Sequence, residues 1–309
     1  MTPPVAGFAA EAVDAWRWQA HPEVWLLVGG VVGLAIYALR VVGPKVVAPG
    51  APVIRRSQLA WLVLGVGALW LASDWPVHDI AENYLFSVHM AQHMLLTFVV
   101  PPALLLATPE WLARLVLGRG RVKRVFMALA RPIPAAALFS GFLLLSHWQL
   151  IVNTSVDNAA LHYFVHTVLV ATAFLLWTPV VGPLPELRIS YPAQMLYLFV
   201  ASIVPTVPAG WFTFAEGAVY SAYDIPERLA GIGVTADQQA AGLIMKTLGG
   251  GFLWVIIAIR FFQWASRFDY SDRASEHAGP PSELTWDYVE HEFESHPAPP
   301  EPSQPGPGP

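Results

Sequence analysis

The stretch that decides the fold is YLFSVHMAQHMLLTFVVPPALLLA, which runs from Tyr84 to Ala107. It contains no Asp, Glu, Lys or Arg, and an apolar run of about 20 residues is long enough to cross a bilayer as an α-helix. The stretch carries His89 and His93, whose four-residue spacing puts both rings on one face of a helix. It therefore predicts a membrane-spanning helix that presents two imidazoles on one side.

Composition extends this prediction to the whole chain. The sequence is 55% hydrophobic and only 13% charged, whereas a globular domain in water carries roughly 25% charged residues. We therefore expect an all-α polytopic membrane protein, a helix bundle with seven transmembrane helices. The predicted spans cover residues 24–42, 58–73, 84–107, 133–152, 159–181, 192–214 and 239–262. The prolines at 101–102 and 205–208 predict kinks or helix ends.

The basic residues predict the orientation of this bundle. The connections and span ends on one side, together with the C-terminal tail, hold 14 of the 17 lysines and arginines, and the positive-inside rule places that side in the cytoplasm. The N-terminus is then outside and the C-terminus in the cytoplasm. Connections on the outer side are acidic instead, which attracts cations. The 14 basic residues are Arg40, Lys45, Arg55, Arg56, Arg114, Arg119, Arg121, Lys123, Arg124, Arg131, Arg188, Arg260, Arg267 and Arg273.

Three regions follow from these patterns. Residues 1–23 are predicted to be an extracytoplasmic segment without the features of a cleaved signal peptide, and residues 24–262 form the transmembrane domain. Residues 263–309 are acidic and rich in proline, which predicts a disordered cytoplasmic tail. The chain has no cysteine, which excludes disulfides, thiolate metal sites and cysteine nucleophiles.

A second histidine pair with the same spacing makes a metal site the leading hypothesis. His162 and His166 lie in the fifth predicted span and His147 in the fourth. With the orientation above, these three histidines, His89 and His93 all reach the outer third of the membrane. A single histidine in a span usually forms a hydrogen bond between helices. Two pairs at one depth favour a shared ion instead.

The donor types favour copper. Imidazole binds zinc, copper, iron and nickel, whereas thioether donors favour Cu(I) and the absence of thiolate disfavours a structural zinc site. Met90, Met94 and Met245 could add sulfur donors, although ordinary core packing is the favoured explanation for Met90 and Met94. The connection that precedes the third span contains His78, Asp79 and Glu82. These three side chains could guide cations to the site from outside.

Three strings carry a resemblance to a known family. They are YLFSVHMAQHMLLTFVVPPALLLATPEWL (Tyr84 to Leu112), ALHYFVHTVLVATAFLLWTPVVG (Ala160 to Gly182) and ADQQAAGLIM (Ala236 to Met245). In this order they resemble the CtaG family of cytochrome c oxidase assembly proteins, over most of residues 60–262. The resemblance implies a multi-pass protein of the bacterial plasma (inner) membrane that is not an enzyme. It also implies copper handling, as a metallochaperone, for a haem-copper oxidase.

The resemblance also implies partners and further site residues. Cytochrome c oxidase subunits are the expected partners, with a periplasmic copper donor as a second candidate and no nucleic acid. By motif match, the family's signature positions are His89, His93, His162, His166, Asp237, Gln238 and Gln239. The last three are expected to accept imidazole N–H groups and so orient the rings, or, for Asp237, to cap its own helix. Lys246 stands where the family usually has an aromatic residue, and its cation could weaken the metal site or pair with Asp237.

Two other classes of protein remain as alternatives. A b-type haem cytochrome could hold haem between His93 and His166, although the other histidines would then have no use. A retinal-type seven-helix protein could form a Schiff base at Lys246. That class needs an acidic counter-ion in the third span, which has none.

Overall fold

The computed structural model describes residues 16–225, 229–277 and 286–295, and these residues form helices, turns and loops without a strand. The predicted all-α class is thus confirmed for the described part of the chain. We number its longer helices in chain order. They are α1 (Pro22–Val46), α2 (Arg56–Ser73), α3 (Val77–Asn83), α4 (Phe86–Ala107), α5 (Glu110–Leu117), α6 (Arg121–Leu129), α7 (Pro132–Ser146), α8 (Gln149–Val156), α9 (Ala159–Val181), α10 (Tyr191–Thr213), α11 (Val234–Arg267) and α12 (Trp286–Ser295).

Five of the described helices, α1, α4, α9, α10 and α11, are long and apolar enough to cross a membrane. Two bent pairs raise this number to seven if each pair is counted as one span. The bend is 41° between α2 and α3 and 76° between α6 and α7. The described residues therefore contain five to seven candidate spans, and the predicted number of seven corresponds to the upper figure.

The continuous span predicted over residues 133–152 is wrong in its bounds, because α7 ends at Ser146 and α8 begins at Gln149. His147 lies at this break. Its ring Nδ1 donates a hydrogen bond to the carbonyl of Leu143 at 2.7 Å, the group that its own backbone N–H would bond in a continuing α-helix. The backbone N–H bonds Leu144 instead. The His147 side chain thus takes the Leu143 carbonyl in place of the backbone N–H that would continue the helix.

Helix α4 lies at the centre of the packing. Helices α2, α3, α9 and α11 pack against it, α7 packs against α9, and the second half of α10 packs against α11. Lipid is as apolar as these side chains, so close packing is what stabilises such contacts in a membrane. At Gly242, a Cβ atom would lie 2.6 Å from the Ala209 carbonyl oxygen. This glycine therefore allows α10 and α11 to approach closely.

Two proline-containing helices are distorted, as the sequence predicts. In α4, a π-helical segment over Leu95–Val99 precedes Pro101. Pro101 has no N–H to bond the Thr97 carbonyl, and the indole Nε1 of Trp177 donates to that carbonyl at 2.9 Å. Helix α10 is interrupted at Val204 and Pro205. The Trp177 side chain on α9 therefore bonds the Thr97 carbonyl, which Pro101 leaves without a backbone partner in α4.

The C-terminal part is described by itself, because the chain from Phe262 onward forms a second unit. The helix in which the candidate span α11 ends extends beyond it, from Gly251 to His277, and α12 follows at Trp286–Ser295. The structure therefore differs from the predicted disorder at 263–277 and 286–295. Both segments lack proline, and so keep every backbone N–H that a helix needs. Residues 1–15 and the other tail residues lie outside the described part, and the predictions for them stay predictions.

Candidate metal centre

Four of the predicted ligands converge between α4 and α9. The ring centroids of His89 and His93 are 4.4 Å apart on α4, and those of His162 and His166 are 4.3 Å apart on α9. Across the two helices, the Nε2 atoms of His93 and His166 are 3.4 Å apart. The helical period brings each pair to one face, and the packing of α9 on α4 brings the two faces together.

A carboxylate from α3 enters this group of rings. Glu82 Oε1 lies 2.9 Å from His162 Nε2, 3.5 Å from His89 Nδ1 and 4.0 Å from His78 Nδ1. The distance to His162 is short enough for a hydrogen bond, whereas the distance to His78 is too long for one. The Glu82, His89 and His162 atoms are buried and have no hydrogen-bond partner among the described residues. Donor atoms that face one another without bonding are suited to a cation held between them.

These side chains form two overlapping groups of three ligand atoms. One group is His89, His93 and His166, and the other is Glu82, His162 and His166. Within each group, all ligand atoms lie within 4.8 Å of one another. Bonds of about 2.0–2.1 Å to a tetrahedral metal place two ligand atoms about 3.4 Å apart. The His93–His166 separation has this value, and the remaining atoms need small side-chain shifts to reach it.

The cavity between the rings is small. Its volume is about 20 Å³, and its lining includes the four histidines, His147, Met90 and Tyr223. About 10–15 Å³ of such volume holds one water molecule. The space therefore fits one ion or one water, and it does not fit an organic cofactor.

His147 reaches the edge of the group. Its ring centroid is 6.3 Å from that of His93, and it is in neither group of three ligands. Because Nδ1 donates to the Leu143 carbonyl, the ring is the tautomer with a lone pair on Nε2. That Nε2 atom is buried and has no hydrogen-bond partner among the described residues. It is available as an additional donor atom.

The three methionines have different surroundings. Met90 lines the cavity with the histidines. Met94 packs against Gly249, where its sulfur atom would be 2.8 Å from an added Cβ. Met245 is fully buried in the apolar core and lines a separate cavity beside Lys246. Only Met90 therefore borders the cavity at the histidines.

The hydrogen bonds of Asp237 do not match either of the two roles predicted for it. Its carboxylate oxygens accept hydrogen bonds from the backbone N–H groups of Phe86 at 2.7 Å and Ser87 at 3.0 Å, whereas the N-cap position of its own helix is Gly233. The first N–H groups of a helix lack partners within the helix, and a carboxylate also interacts well with the helix dipole. Asp237 on α11 thus caps α4, the helix that carries His89 and His93.

The neighbouring amides also bond backbone instead of imidazole. Gln238 Oε1 accepts from the N–H groups of Val219 and Tyr220, and its Nε2 donates to the Tyr220 carbonyl. Gln239 Nε2 donates to the Ala215 carbonyl. The expectation that these two residues orient the histidine rings directly is therefore not met. They hold the loop between α10 and α11 in place.

This loop contributes an aromatic wall that the sequence did not reveal. Tyr223 lines the cavity, and its ring centroid is 6.4 Å from that of His89. Phe86 packs edge-to-face on Tyr220 and Tyr223 at 5.0 Å. Burial raises the pKa of Tyr223 well above its usual value, and the nearby Glu82 carboxylate adds to this shift. The phenol therefore stays protonated at neutral pH.

Polar groups extend from the cluster along α3. His78 Nδ1 is 3.3 Å from Gln92 Nε2, and its ring packs edge-to-face on that of His21 at 5.1 Å. His21 Nε2 bonds Asp79 Oδ2 at 2.9 Å. Burial alone would lower the pKa of His21, but the carboxylates of Asp79 and Glu23 outweigh it and raise the pKa. His21 and Gln92 were missed because their contacts with Asp79 and His78 join separate segments of the sequence.

Lys246 and the cavity sizes bear on the two alternative classes. Lys246 Nζ donates to Thr206 Oγ1 at 2.7 Å, so the predicted pairing with Asp237 is not observed. The cavity beside Lys246 has a volume of about 10 Å³, which cannot hold a retinal chromophore. The Nε2 atoms of His93 and His166 are only 3.4 Å apart. The cavity at these two atoms is too small for a haem macrocycle.

The fold and the site together define a class: polytopic, all-helical membrane-type proteins with a buried cluster of histidines and one carboxylate. Residues 33–267 match the family described as cytochrome c oxidase caa3 assembly factor (Caa3_CtaG). The chain belongs to this family, and the resemblance seen in its sequence is confirmed.

Individual relatives add little about function. Two similar proteins are the uncharacterized proteins Mb0105 of Mycobacterium bovis and MT0111 of Mycobacterium tuberculosis, each 27% identical over 322 residues. The alignments cover 93% of this chain and 44% of each relative. The chain thus spans less than half the length of these relatives. No solved structure matches it.

Proposed function

We propose that this protein is an assembly factor in the bacterial plasma membrane. It binds copper through Glu82 and the histidine cluster near the extracytoplasmic face and passes the ion to a haem-copper cytochrome c oxidase. Membership of the caa3 assembly-factor family supports the assembly role. The observation that carries the copper role is the pair of three-ligand groups that share His166.

The charges of the donor set favour Cu(I) as the cargo. An imidazole that binds a metal does so as a neutral ligand, and the cluster adds a single carboxylate, that of Glu82. A monovalent cation bound to one carboxylate gives a site without net charge, whereas a divalent cation leaves a net positive charge in a medium of low dielectric constant. Imidazole nitrogen is also a good ligand for copper. The site therefore suits Cu(I) better than Zn²⁺.

The overlap of the two groups suggests how the ion moves. An ion in the second group is held by Glu82, His162 and His166. It can exchange Glu82 and His162 for His89 and His93 while it stays bound to His166. Each group offers three ligands, so an incoming donor from a partner protein can occupy a further position. Few ligands bind less tightly than a complete set, which favours release.

Access from outside is the role proposed for α3 and its neighbours. Asp79 and His78 lie on the same short helix as Glu82, and His21 contacts both. With the predicted orientation, this end of the bundle faces the periplasm, where acidic side chains attract cations. A periplasmic copper donor would then deliver the ion along α3, and oxidase subunits would receive it.

Copper binding by the purified full chain tests the proposal. The protein is expected to take Cu(I) from a weakly binding chromogenic chelator. Glu82→Gln and His93→Ala should each weaken this binding, because each change removes a ligand from one of the two groups, while both variants keep the melting temperature of the native protein. His291→Ala is the matched control, because His291 is exposed on α12 and outside the cluster. It should bind copper as the native protein does.

The corresponding cells test the assembly role. Cells that carry His93→Ala should contain the inserted protein but an oxidase short of copper, and added external copper should partly restore activity by mass action. If the Glu82→Gln and His93→Ala proteins both retained full copper binding, or if oxidase activity were undiminished, the proposal would be wrong. The rings would then serve hydrogen bonding between helices.

A further inference from the structure

A second cavity lies away from the histidine cluster, between α6, the start of α7 and the loop after α9. Its volume is about 420 Å³. Lys123 and Arg124 of α6, Arg131 before α7, and Arg188 of the loop line it. Four cationic side chains around one cavity point to an anionic ligand, because like charges repel unless an anion lies between them.

The cations of this cavity are not neutralised by the acids nearby. Glu186, an acidic residue in the lining, already receives two hydrogen bonds from Arg114, at 2.9 and 3.1 Å. None of the four lining cations forms an ion pair within 4 Å in the described part of the chain. Arg188 Nε donates to the Gly182 carbonyl at 2.6 Å, which fixes the side chain and leaves its terminal nitrogens for a ligand.

The surface next to the cavity is apolar. On α6, Val122 and Val125 are 70% and 50% exposed, and Leu129 of the same face is 38% exposed. Ile133, at the start of α7, is 83% exposed. In α6 these residues are spaced by three and four positions, so they form one stripe, which faces away from Lys123 and meets the edge of the cavity where Val125 neighbours Ala128 of the lining. An apolar stripe beside a cationic cavity matches a molecule with an anionic head and hydrocarbon chains.

We infer that this cavity binds the phosphate headgroup of an anionic phospholipid, whose acyl chains lie against the stripe of α6 and Ile133. Guanidinium groups match phosphate oxygens in geometry and charge, and basic pockets between helices at the cytoplasmic side bind such headgroups. Free inorganic phosphate would use the cations and leave the apolar stripe exposed. The site does not depend on copper or on the oxidase.

Lipid titration of the purified full chain in neutral detergent tests this inference. Phosphatidylglycerol is expected to raise the melting temperature, whereas phosphatidylcholine and inorganic phosphate should not. Arg124→Gln and Arg131→Gln should each weaken the apparent affinity for phosphatidylglycerol by about fivefold, the effect of about one basic residue at a lipid surface. Native mass spectrometry should count fewer retained phosphatidylglycerol molecules in these variants.

Matched substitutions control for charge and folding. Arg119→Gln and Arg121→Gln remove charges from the same connection at exposed positions outside the lining, and they should leave the affinity unchanged. Arg124→Lys and Arg131→Lys keep the charge and should retain most of the affinity, even if a glutamine variant proves unstable. An equal response to inorganic phosphate would overturn the inference. So would an equal loss in the Arg119 and Arg121 variants.

Discussion

At the scale of single residues, His166 is the one ligand common to both groups of three. His166→Ala is therefore expected to lower the Cu(I) affinity by at least about tenfold, and by more than His89→Ala or His162→Ala, each of which leaves one group intact. Competition titrations with a chromogenic chelator measure these affinities.

His147→Ala provides the matched comparison, because its ring borders the cavity but belongs to neither group. It should keep most of the affinity. A loss in His147→Ala as large as that in His166→Ala would instead show that the true ligand set includes His147 and that the two groups do not describe the site.

At the scale of elements, the contact between α11 and α4 depends on Asp237 as a cap. Asp237→Ala is expected to destabilise the protein by about 1 kcal/mol, the usual cost of losing a capping side chain. Asp237→Asn keeps an oxygen acceptor and should lose less. Thermal unfolding in detergent measures both, and both variants should bind copper normally. If an Asp237 variant lost copper binding at unchanged stability, Asp237 would instead act by orienting a histidine.

At the scale of the whole molecule, the basic residues predict the orientation, because the seven predicted spans would put 14 of the 17 on one side. Reporter fusions should place the connection with Arg119 and Arg124 in the cytoplasm and the one with His78 outside. The same fusions count the spans. The total reaches seven only if the bent pair α2 and α3 crosses the membrane once as a unit and the bent pair α6 and α7 does the same. An extracytoplasmic Arg119 would contradict both the orientation and the proposed periplasmic access to copper.

What the sequence could predict is what depends on local periodicity. The spacing of His89 and His93, and of His162 and His166, predicts rings on one face because the helical repeat is constant. The long apolar runs predict the helices for the same reason. The three family strings predict membership of the family, and the match over residues 33–267 confirms it.

What the sequence could not predict depends on contacts between distant segments. Glu82 reaches His89 and His162 from α3, which packs against α4, and Asp237 caps a helix about 150 positions away in the chain. Neither contact has a periodic signal. The break at His147 was missed because a side-chain bond to Leu143 overrides an apolar run that otherwise reads as one helix.

The sharing of His166 has a consequence for how much copper the protein can carry. The two groups share His166, and the ligand atoms within each group lie within 4.8 Å of one another, so two ions bound at once would lie close together. Two unit charges about 4 Å apart repel by about 4 kcal/mol at an effective dielectric constant of 20. On the proposed function, each molecule therefore carries a single ion and must discharge it before it reloads. Such a protein is a shuttle whose output depends on its turnover, and it cannot be a reservoir.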